Sequence, residues 1–441
     1  MRTINLTKGP VFQVLLTLAI PIIGSSVLQL TYSLVDMLLV GQLGYDAVAS
    51  IGSASFLIGV GYAVNSCVVV GTGIKVAHAI GAKDEALKNR YINAGFRINL
   101  VIALLFGITM LVVGRPFLHF LGLEGPVYNM SFAYLLVSIP MIMLAFFNLW
   151  YTRLYNSFGN NRSALKISAV GVVLNIVLDI VFIYGLNLHV VGAGLATVVA
   201  NLVMFSLFYV QSKRLFHVTR RVKCERADYK EIMQLGLPSS IQRLLFTLVN
   251  IVLAKLIAVY GAEAIAAQKI SLQIESVTFM IIGGLNGAVS AFVGQNYGAK
   301  KITRIFEGVN VTLGLGIVYA IVTTVVLYVG AEFFAGLFVS DAQTIHIAAQ
   351  YLRIVGLSQI FMAAEIILNG VFTGLGLPNI PAVISISFTI LRIPFAIIFM
   401  YFIGIDGIWL SIAVTSVLKG VIALVLYYIK VRRGDKFVTT A

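Results

Sequence analysis

The chain has little charge, little cysteine and little histidine for its 441 residues. Charged residues make up 11% of it, against roughly 25% in soluble globular proteins, which excludes a water-soluble enzyme and a disordered chain. Its two cysteines, Cys67 and Cys224, cannot build a disulfide scaffold and lack the spacing of a metal or redox motif. The five histidines form no metal-ligand cluster and no phosphate-binding Gly-Lys loop occurs, so we expect neither an enzyme nor a cofactor.

Apolar residues are abundant instead. They make up 59% of the chain, and the mean hydropathy is +0.98. A membrane helix needs about 20 mostly apolar residues, and twelve such stretches follow one another without room for a soluble domain. The sequence therefore predicts an all-α integral membrane protein. The predicted spans are residues 11–40, 47–74, 92–114, 128–155, 164–186, 191–212, 237–260, 264–294, 309–331, 344–374, 380–403 and 407–430.

Basic residues concentrate in alternate connections between these spans. Lys and Arg occupy the second, fourth, sixth and eighth connections and both termini, whereas the odd-numbered connections contain only Arg115. Because cytoplasmic loops carry the excess of Lys and Arg, both termini are predicted to face the cytoplasm, in a plasma or inner cell membrane. The same loops account for the net charge of +14, so we expect membrane lipid and no nucleic acid as a partner.

The second half of the chain repeats the first at a constant offset, the one that separates Pro21 from Pro238. Three pairs of segments show it: Leu18–Pro21 with Leu235–Pro238, Gly44–Ala47 with Gly261–Ala264, and Gly81–Lys83 with Gly298–Lys300. Span 1 falls on span 7, so the copies have the same membrane orientation and form a parallel pseudo-two-fold repeat of two six-helix bundles around a central cleft. We predict an N-lobe (residues 1–212), a basic cytoplasmic linker (213–232) and a C-lobe (233–441), an arrangement that favours a transporter.

Acidic side chains inside the first half point to an ion site. The candidates form i, i+4 pairs on spans 1, 5 and 6: Tyr32 and Asp36, Asn175 and Asp179, and Thr197 and Asn201. No Lys or Arg lies in the hydrocarbon part of these spans, so the two carboxylates have no local cation. Either they hold a proton, or a cation such as Na⁺ is bound among the oxygens of Asp36, Asn175, Asp179 and Thr197. Both solutions predict a coupling-ion site.

The second half carries a different set of charges. At the positions equivalent to Asp36 and Asp179 it has Leu253 and Ala396. A C-lobe polar network is predicted instead, composed of Glu275, Glu365, Lys255, Arg392 and Lys419. Near mid-span, Arg392 and Lys419 are expected to form ion pairs with these glutamates. Whether this network contacts substrate is left open by the sequence.

Pro21 lies inside span 1, on the same helix as Asp36. Proline removes a backbone hydrogen bond and clashes with the preceding turn, so this helix is predicted to bend there. A bend that moves with protonation and a static bend are both compatible with the sequence.

These features together resemble the multidrug and toxic compound extrusion (MATE) transporters over essentially the whole chain. The resemblance is carried by Asp36 with Val40–Gly44, by Leu174–Gly185, by Gly192–Thr197 and by Val293–Ala299. Tyr32, Asp36, Asn175, Asp179 and Thr197 match the N-lobe cation site of the DinF-like branch, and Pro21 matches its bending proline. The acid that the NorM-like branch carries on helix 7 is replaced by apolar residues near Phe246, which leaves Glu365 as an alternative acid.

The resemblance implies an antiporter that exports amphipathic organic compounds, often cationic drugs, in exchange for H⁺ or Na⁺. We expect alternating access between the lobes, small amphipathic organic substrates and a monomer. Two alternatives stay open at this point. One is a lipid-linked saccharide or lipid flippase of the same superfamily, and the other is a channel or sensor.

Overall fold

The computed structural model describes residues 4–219 and 221–432, and these form helices joined by short connections, with no strand among them. The first half contains six α-helices and a π-helical turn: α1 Val11–Gly41, α2 Tyr45–Ala82, α3 Glu85–Phe120, α4 Gly125–Ser157, α5 Asn161–Asp179, the π-helical turn Ile180–Gly185 and α6 His189–Ser212. The second half contains α7 Arg226–Ala258, α8 Ala262–Gly298, α9 Ile302–Val329, α10 Ala331–Gly336, α11 Ala342–Gly356, α12 Gln359–Gly374, α13 Asn379–Ile403, α14 Ile405–Tyr427 and a π-helical turn Tyr428–Arg432. The predicted all-α class is confirmed.

The ends of the helices repeat at the predicted offset. Gly44 before α2 has φ +101°, and its repeat counterpart Gly261 before α8 has φ +98°. Lys83 after α2 and Lys300 after α8 both adopt the left-handed conformation, with φ 59° and φ 57°. Positive φ is costly for most residues and easy for glycine, so these turns are fixed by local sequence and mark the same boundaries in both halves.

The span count is confirmed with one difference. Eleven described helices are long and apolar enough to cross a membrane, and a twelfth span results if α11 and α12 are counted together. These two helices meet at a bend of 58°, so the stretch predicted as one long tilted span, residues 344–374, is a broken helix. The break is stabilised because the hydroxyl of Thr324 donates to the carbonyl oxygen of Gly356 at 2.9 Å, which satisfies a carbonyl that the interrupted helix leaves free.

The described helices group into two compact units, but the division differs from the predicted one. The first unit contains Ile20–Ser240, and the second contains Asn5–Ala19 with the chain from Ile241 onward. The boundaries therefore fall inside α1 and α7 rather than in the linker at residues 213–232. The beginning of α1 packs with the second half of the chain, and the beginning of α7 packs with the first.

Polar contacts explain the placement of the start of α7 in the first unit. Asp228 accepts two hydrogen bonds from Arg90 of α3, at 3.1 and 2.9 Å. Glu231 accepts from Tyr91 at 2.5 Å and forms an ion pair with Lys75 of α2 at 2.7 Å. Charge-assisted bonds of this kind are stronger than neutral ones, so they fix α7 on α2 and α3.

The N-terminal segment is held in the second unit by an equivalent arrangement. Arg304 of α9 donates to the carbonyl oxygens of Leu6, Lys8 and Gly9 at 3.3, 2.9 and 2.8 Å. Lys301 donates to the carbonyl oxygen of Thr7 at 2.7 Å. The guanidinium fork thus binds three backbone groups of a non-helical segment that otherwise lack helical partners.

Candidate functional site

The predicted residues of spans 1, 5 and 6 converge within the first unit. Tyr32 of α1 and Thr197 of α6 face each other, with 3.5 Å between the Tyr32 hydroxyl and Thr197 Oγ1. Asn175 of α5 lies 3.2 Å from the same Thr197 hydroxyl. Thr197 therefore lies where α1, α5 and α6 meet.

The side-chain amide of Asn175 connects Asp179 to Thr197. In the orientation that satisfies both ends of the amide, its nitrogen donates to Asp179 Oδ2 at 3.0 Å. Its oxygen then accepts from the Thr197 backbone N–H at 3.1 Å and faces Thr197 Oγ1 at 3.2 Å. This arrangement uses the i, i+4 spacing of Asn175 and Asp179 on one face of α5.

Asp179 keeps one oxygen without a hydrogen-bond partner. The residue is fully buried, and within the described chain its Oδ1 atom has no donor. Asp36 of α1 is partly buried and forms no hydrogen bond or ion pair to any described residue. The two carboxyl groups are close enough to interact electrostatically. A buried acceptor without a donor is costly, so this position suits a proton or a small cation.

Asn201, the sixth predicted site residue, contacts the backbone rather than the acids. Its amide nitrogen donates to the Thr197 carbonyl oxygen at 2.9 Å, and its Oδ1 accepts from Asn148 of α4 at 2.9 Å. Asn148 also donates to the backbone carbonyl of Asn201 at 3.0 Å. The Asn148–Asn201 pair holds α6 on α4 and so fixes the position of Thr197, which lies one turn before Asn201 on α6.

Two tyrosines near the site were missed at the level of sequence. Tyr134 of α4 is 8% exposed and interacts electrostatically with both Asp36 and Asp179. Tyr184 donates to the carbonyl oxygen of Leu39 at 2.7 Å and lies 3.0 Å from Gln42 Oε1, which joins the end of α1 to the π-helical turn. Neither tyrosine forms an i, i+4 pair with an acid, so the spacing that identifies the other candidate residues does not identify these two.

A π-helical turn begins directly after Asp179. The i to i+5 pattern is visible where the Leu186 N–H donates to the Val181 carbonyl at 2.9 Å. Gly192 of α6 permits this turn to lie close, because a Cβ atom there would be 2.9 Å from the Phe182 backbone. Such turns are rare and occur frequently at functional sites, and this one sets the direction in which Tyr184 points.

Pro21 is buried inside α1, close to the boundary at which that helix passes from the second unit to the first. The helix is continuous from Val11 to Gly41, and the Ser25 hydroxyl donates to the Pro21 carbonyl at 3.0 Å. A bend that responds to the state of Asp36 stays a prediction.

The charged residues of the second half form a network, but the expected ion pairs are not formed. Glu275, Glu365, Arg392 and Lys419 are all buried, at 3%, 7%, 6% and 5% exposure. No described ion pair involves Arg392 or Lys419, because each donates to a threonine instead: Arg392 Nε to Thr415 at 3.1 Å and Lys419 Nζ to Thr389 at 2.8 Å. Lys255 lies apart from the network on an exposed position of α7.

Comparison with known proteins gives the family. The MatE family model matches residues 21–181 and 238–398, two ranges that begin at Pro21 and at its repeat counterpart Pro238. Similar curated proteins include "Probable multidrug resistance protein NorM" of Thermotoga maritima, 26% identical over 94% of this chain and 91% of that protein. Another is "Probable multidrug resistance protein YoeA" of Bacillus subtilis, 27% identical over 92% of this chain and 91% of that protein.

The fold agrees with the same assignment. A crystal structure of a MATE protein in complex with MaL6 superposes with a TM-score of 0.93, at 21% identity, over 99% of this chain and 100% of that one. The match of the family model to both halves, together with the two-fold repeat of helix boundaries, shows that the chain belongs to the MatE family, the multi-pass MATE transporters.

Proposed function

We propose that the protein is a multidrug efflux antiporter of the cell membrane. It exports amphipathic organic compounds, often cationic, in exchange for H⁺ or Na⁺, with both termini in the cytoplasm. The names of its relatives, which describe multidrug resistance and export proteins, support the direction of transport and the substrate class. The asymmetry of basic residues between alternate loops supports the orientation.

The observation that carries the proposal is the unpartnered Oδ1 atom of Asp179. This atom is buried, has no donor in the described chain, and belongs to a carboxyl group that interacts with the carboxyl group of Asp36. The two acids titrate as a coupled pair, so the net charge of the pair changes when one of them takes up or releases an ion. A transport cycle can use that change to favour one conformation over another.

The hydrogen bonds around Asn175 support a proton more than a sodium ion. Na⁺ binds oxygen atoms, and the Asn175 oxygen is occupied by Thr197 while its nitrogen faces Asp179. The amide N–H donates to Oδ2 of Asp179, so Oδ1 is the one oxygen of this carboxyl group without a donor. We therefore propose H⁺ as the coupling ion, with Na⁺ as the alternative.

Helix α1 connects this site to the second unit. Asp36 and Tyr32 lie in its part that packs in the first unit, whereas residues before Ile20 pack in the second. Pro21 lies next to that boundary, where a missing backbone hydrogen bond lowers the cost of bending. We expect ion binding at Asp36 to change the geometry of α1 and, through it, the access of substrate to the transporter.

The test is ethidium efflux from proteoliposomes that contain the full-length chain, first with an imposed pH gradient and then with an imposed Na⁺ gradient. We expect efflux with one gradient, and we expect Asp36→Asn and Asp179→Asn to reduce it at least tenfold. Asp46→Asn, at an exposed acid in the first turn of α2 of the same unit, is the matched control and should leave efflux unchanged. Full coupled efflux in Asp36→Asn and Asp179→Asn would contradict the proposed site, and conductance without dependence on either gradient would indicate a channel.

A further inference from the structure

The second unit holds four buried charged side chains whose role the coupling-ion site does not explain. Glu275 lies on α8, Glu365 on α12, Arg392 on α13 and Lys419 on α14. Each is more than nine-tenths buried. Charges are expensive in such surroundings unless they are paired or hydrogen-bonded, so what each of them contacts indicates its use.

The two acids are stabilised by neutral donors. Glu275 accepts from the Tyr351 hydroxyl at 2.7 Å and from the Gln359 amide at 2.9 Å, one on each carboxylate oxygen. Glu365 accepts from the Ser385 hydroxyl at 3.0 Å. Hydrogen bonds from hydroxyl and amide groups stabilise a carboxylate without neutralising it. The acids are therefore not the direct partners of the bases.

The two bases are held by a reciprocal contact across α13 and α14. Arg392 of α13 donates through Nε to Thr415 of α14, and Lys419 of α14 donates to Thr389 of α13. The threonine on each helix lies one turn from the base on the same helix, so the two threonine–base hydrogen bonds lie next to each other. The positive groups interact electrostatically with each other; Glu365 attracts both of them and Glu275 attracts Arg392, but neither acid forms an ion pair with a base among the described residues. Like charges repel each other, and an anion in direct contact with both bases would relieve that repulsion.

Most donors of these bases are unused. A guanidinium offers donors on Nε, Nη1 and Nη2, and an ammonium offers several N–H groups. In the part of the chain that the structure describes, only Nε of Arg392 has a hydrogen bond, and Lys419 has only its bond to Thr389. Thr415 engages the Nε–H of the guanidinium and Thr389 engages one N–H of the ammonium, so the other N–H groups of both bases have no partner among the described residues. The free Nη1 and Nη2 atoms form the planar fork that matches a carboxylate.

We propose that Arg392 and Lys419 bind the carboxylate of a zwitterionic organic substrate, which makes the second unit a recognition site for the anionic end of the molecule. This inference rests on the proposed efflux function and specifies its substrate class. A substrate with only positive charge gains nothing from these two groups and is repelled by them. A zwitterion brings the missing partner for Arg392 and Lys419 while its apolar part and cation remain free for other contacts.

The probes are rhodamine 110, which has a free carboxyl group, and its methyl ester rhodamine 123, which does not. Binding of each dye to the purified full-length chain in nanodiscs is measured by fluorescence polarisation. We expect the wild-type chain to bind rhodamine 110 at least as tightly as the ester. Arg392→Gln and Lys419→Gln should each weaken binding of rhodamine 110 roughly tenfold or more, because a charge-assisted hydrogen bond is lost, and change binding of rhodamine 123 less than twofold.

Two further variants separate recognition from folding. Arg353→Gln removes a base whose charge is already paired, with Glu332 at 3.0 Å, in the same unit, and should leave both dyes unaffected. Lys419→Arg keeps the charge and should retain most of the preference for the carboxylate dye. The inference is overturned if Arg392→Gln weakens both dyes equally, or if the wild-type chain binds only the ester. Failure of ion coupling in the efflux assay would refute the antiport proposal while leaving these binding ratios unchanged.

Discussion

Replacing Gly71 of α2 with alanine tests the packing of α7 in the first unit. A Cβ atom at Gly71 would lie 2.0 Å from the carbonyl oxygen of Ile232, and one at Gly236 would lie 1.6 Å from that of Cys67. Both obstacles are backbone atoms, so no side chain can rotate away. Ordinary contact begins near 3.4 Å, and α2 and α7 must therefore separate by at least about 1 Å. Overpacking of this kind costs about 1–3 kcal/mol.

Cys67 provides the readout, because it is 3% exposed and its thiol donates to the Met233 carbonyl at 3.6 Å. In a Cys224→Ser background it is the only cysteine, since the chain has two. A maleimide reacts with it only when α7 separates from α2. A loss of about 1–3 kcal/mol shifts the opening equilibrium roughly 5–150-fold, and we expect labelling of Gly71→Ala in proteoliposomes to accelerate by that factor.

Gly59 on the same helix is the matched control. It is exposed, and a Cβ atom there would meet no other atom within 4 Å. Because alanine is a better helix former than glycine, Gly59→Ala should stabilise α2 by about 0.5–1 kcal/mol and leave Cys67 as protected as before. Equal labelling rates in Gly71→Ala and Gly59→Ala would refute the close approach of α2 and α7.

Two other changes have specific outcomes. The Thr344 hydroxyl and N–H donate to Asp341 and hold its pKa below the usual range. The cap of α11 is therefore fully present above about pH 4 and is lost as the pH falls through the lowered pKa. Asp341→Asn should remove this acid-dependent step, as measured by amide exchange of Thr344. Tyr184→Phe deletes the hydroxyl bonds to Leu39 and Gln42, and should slow efflux several-fold while dye binding stays unchanged; unaltered efflux would exclude a role in transport.

The repeat of the helix boundaries could be predicted from sequence because it depends on local conformation. Gly159 and Gly376 are repeat counterparts, and both have positive φ, at +69° and +78°. Glycine is visible in the sequence, and it often takes this conformation just after a helix. Gly356 ends α11 at the break but does not have positive φ, so a glycine there did not distinguish the break from a continuous helix. Hydropathy measures how many apolar residues follow one another, and it carries no information on whether the helix axis changes direction within such a stretch.

The pairing of the candidate site residues was also predictable, because i, i+4 spacing places Asn175 beside Asp179 and Tyr32 beside Asp36 whatever the tertiary contacts are. The orientation of the Asn175 amide and the unpartnered oxygen of Asp179 depend on α6, which brings Thr197 to them. No pattern within α5 specifies that. The π-helical turn after Asp179 lies close to Gly192 of α6, a contact that no pattern within α5 specifies either.

The exchange of helix ends between the units was missed for a different reason. Arg304 binds the carbonyl oxygens of Leu6, Lys8 and Gly9, and carbonyl groups are present at every position, so the sequence contains no signature of their partner. The same applies to α7, where Asp228 pairs with Arg90 across 138 residues. The consequence concerns mechanism. Because α1 begins in one unit and carries Asp36 in the other, we expect an ion bound at the proposed site to act on a helix whose preceding segment is held by Arg304, and we expect any bending to occur between these two points, where Pro21 lies.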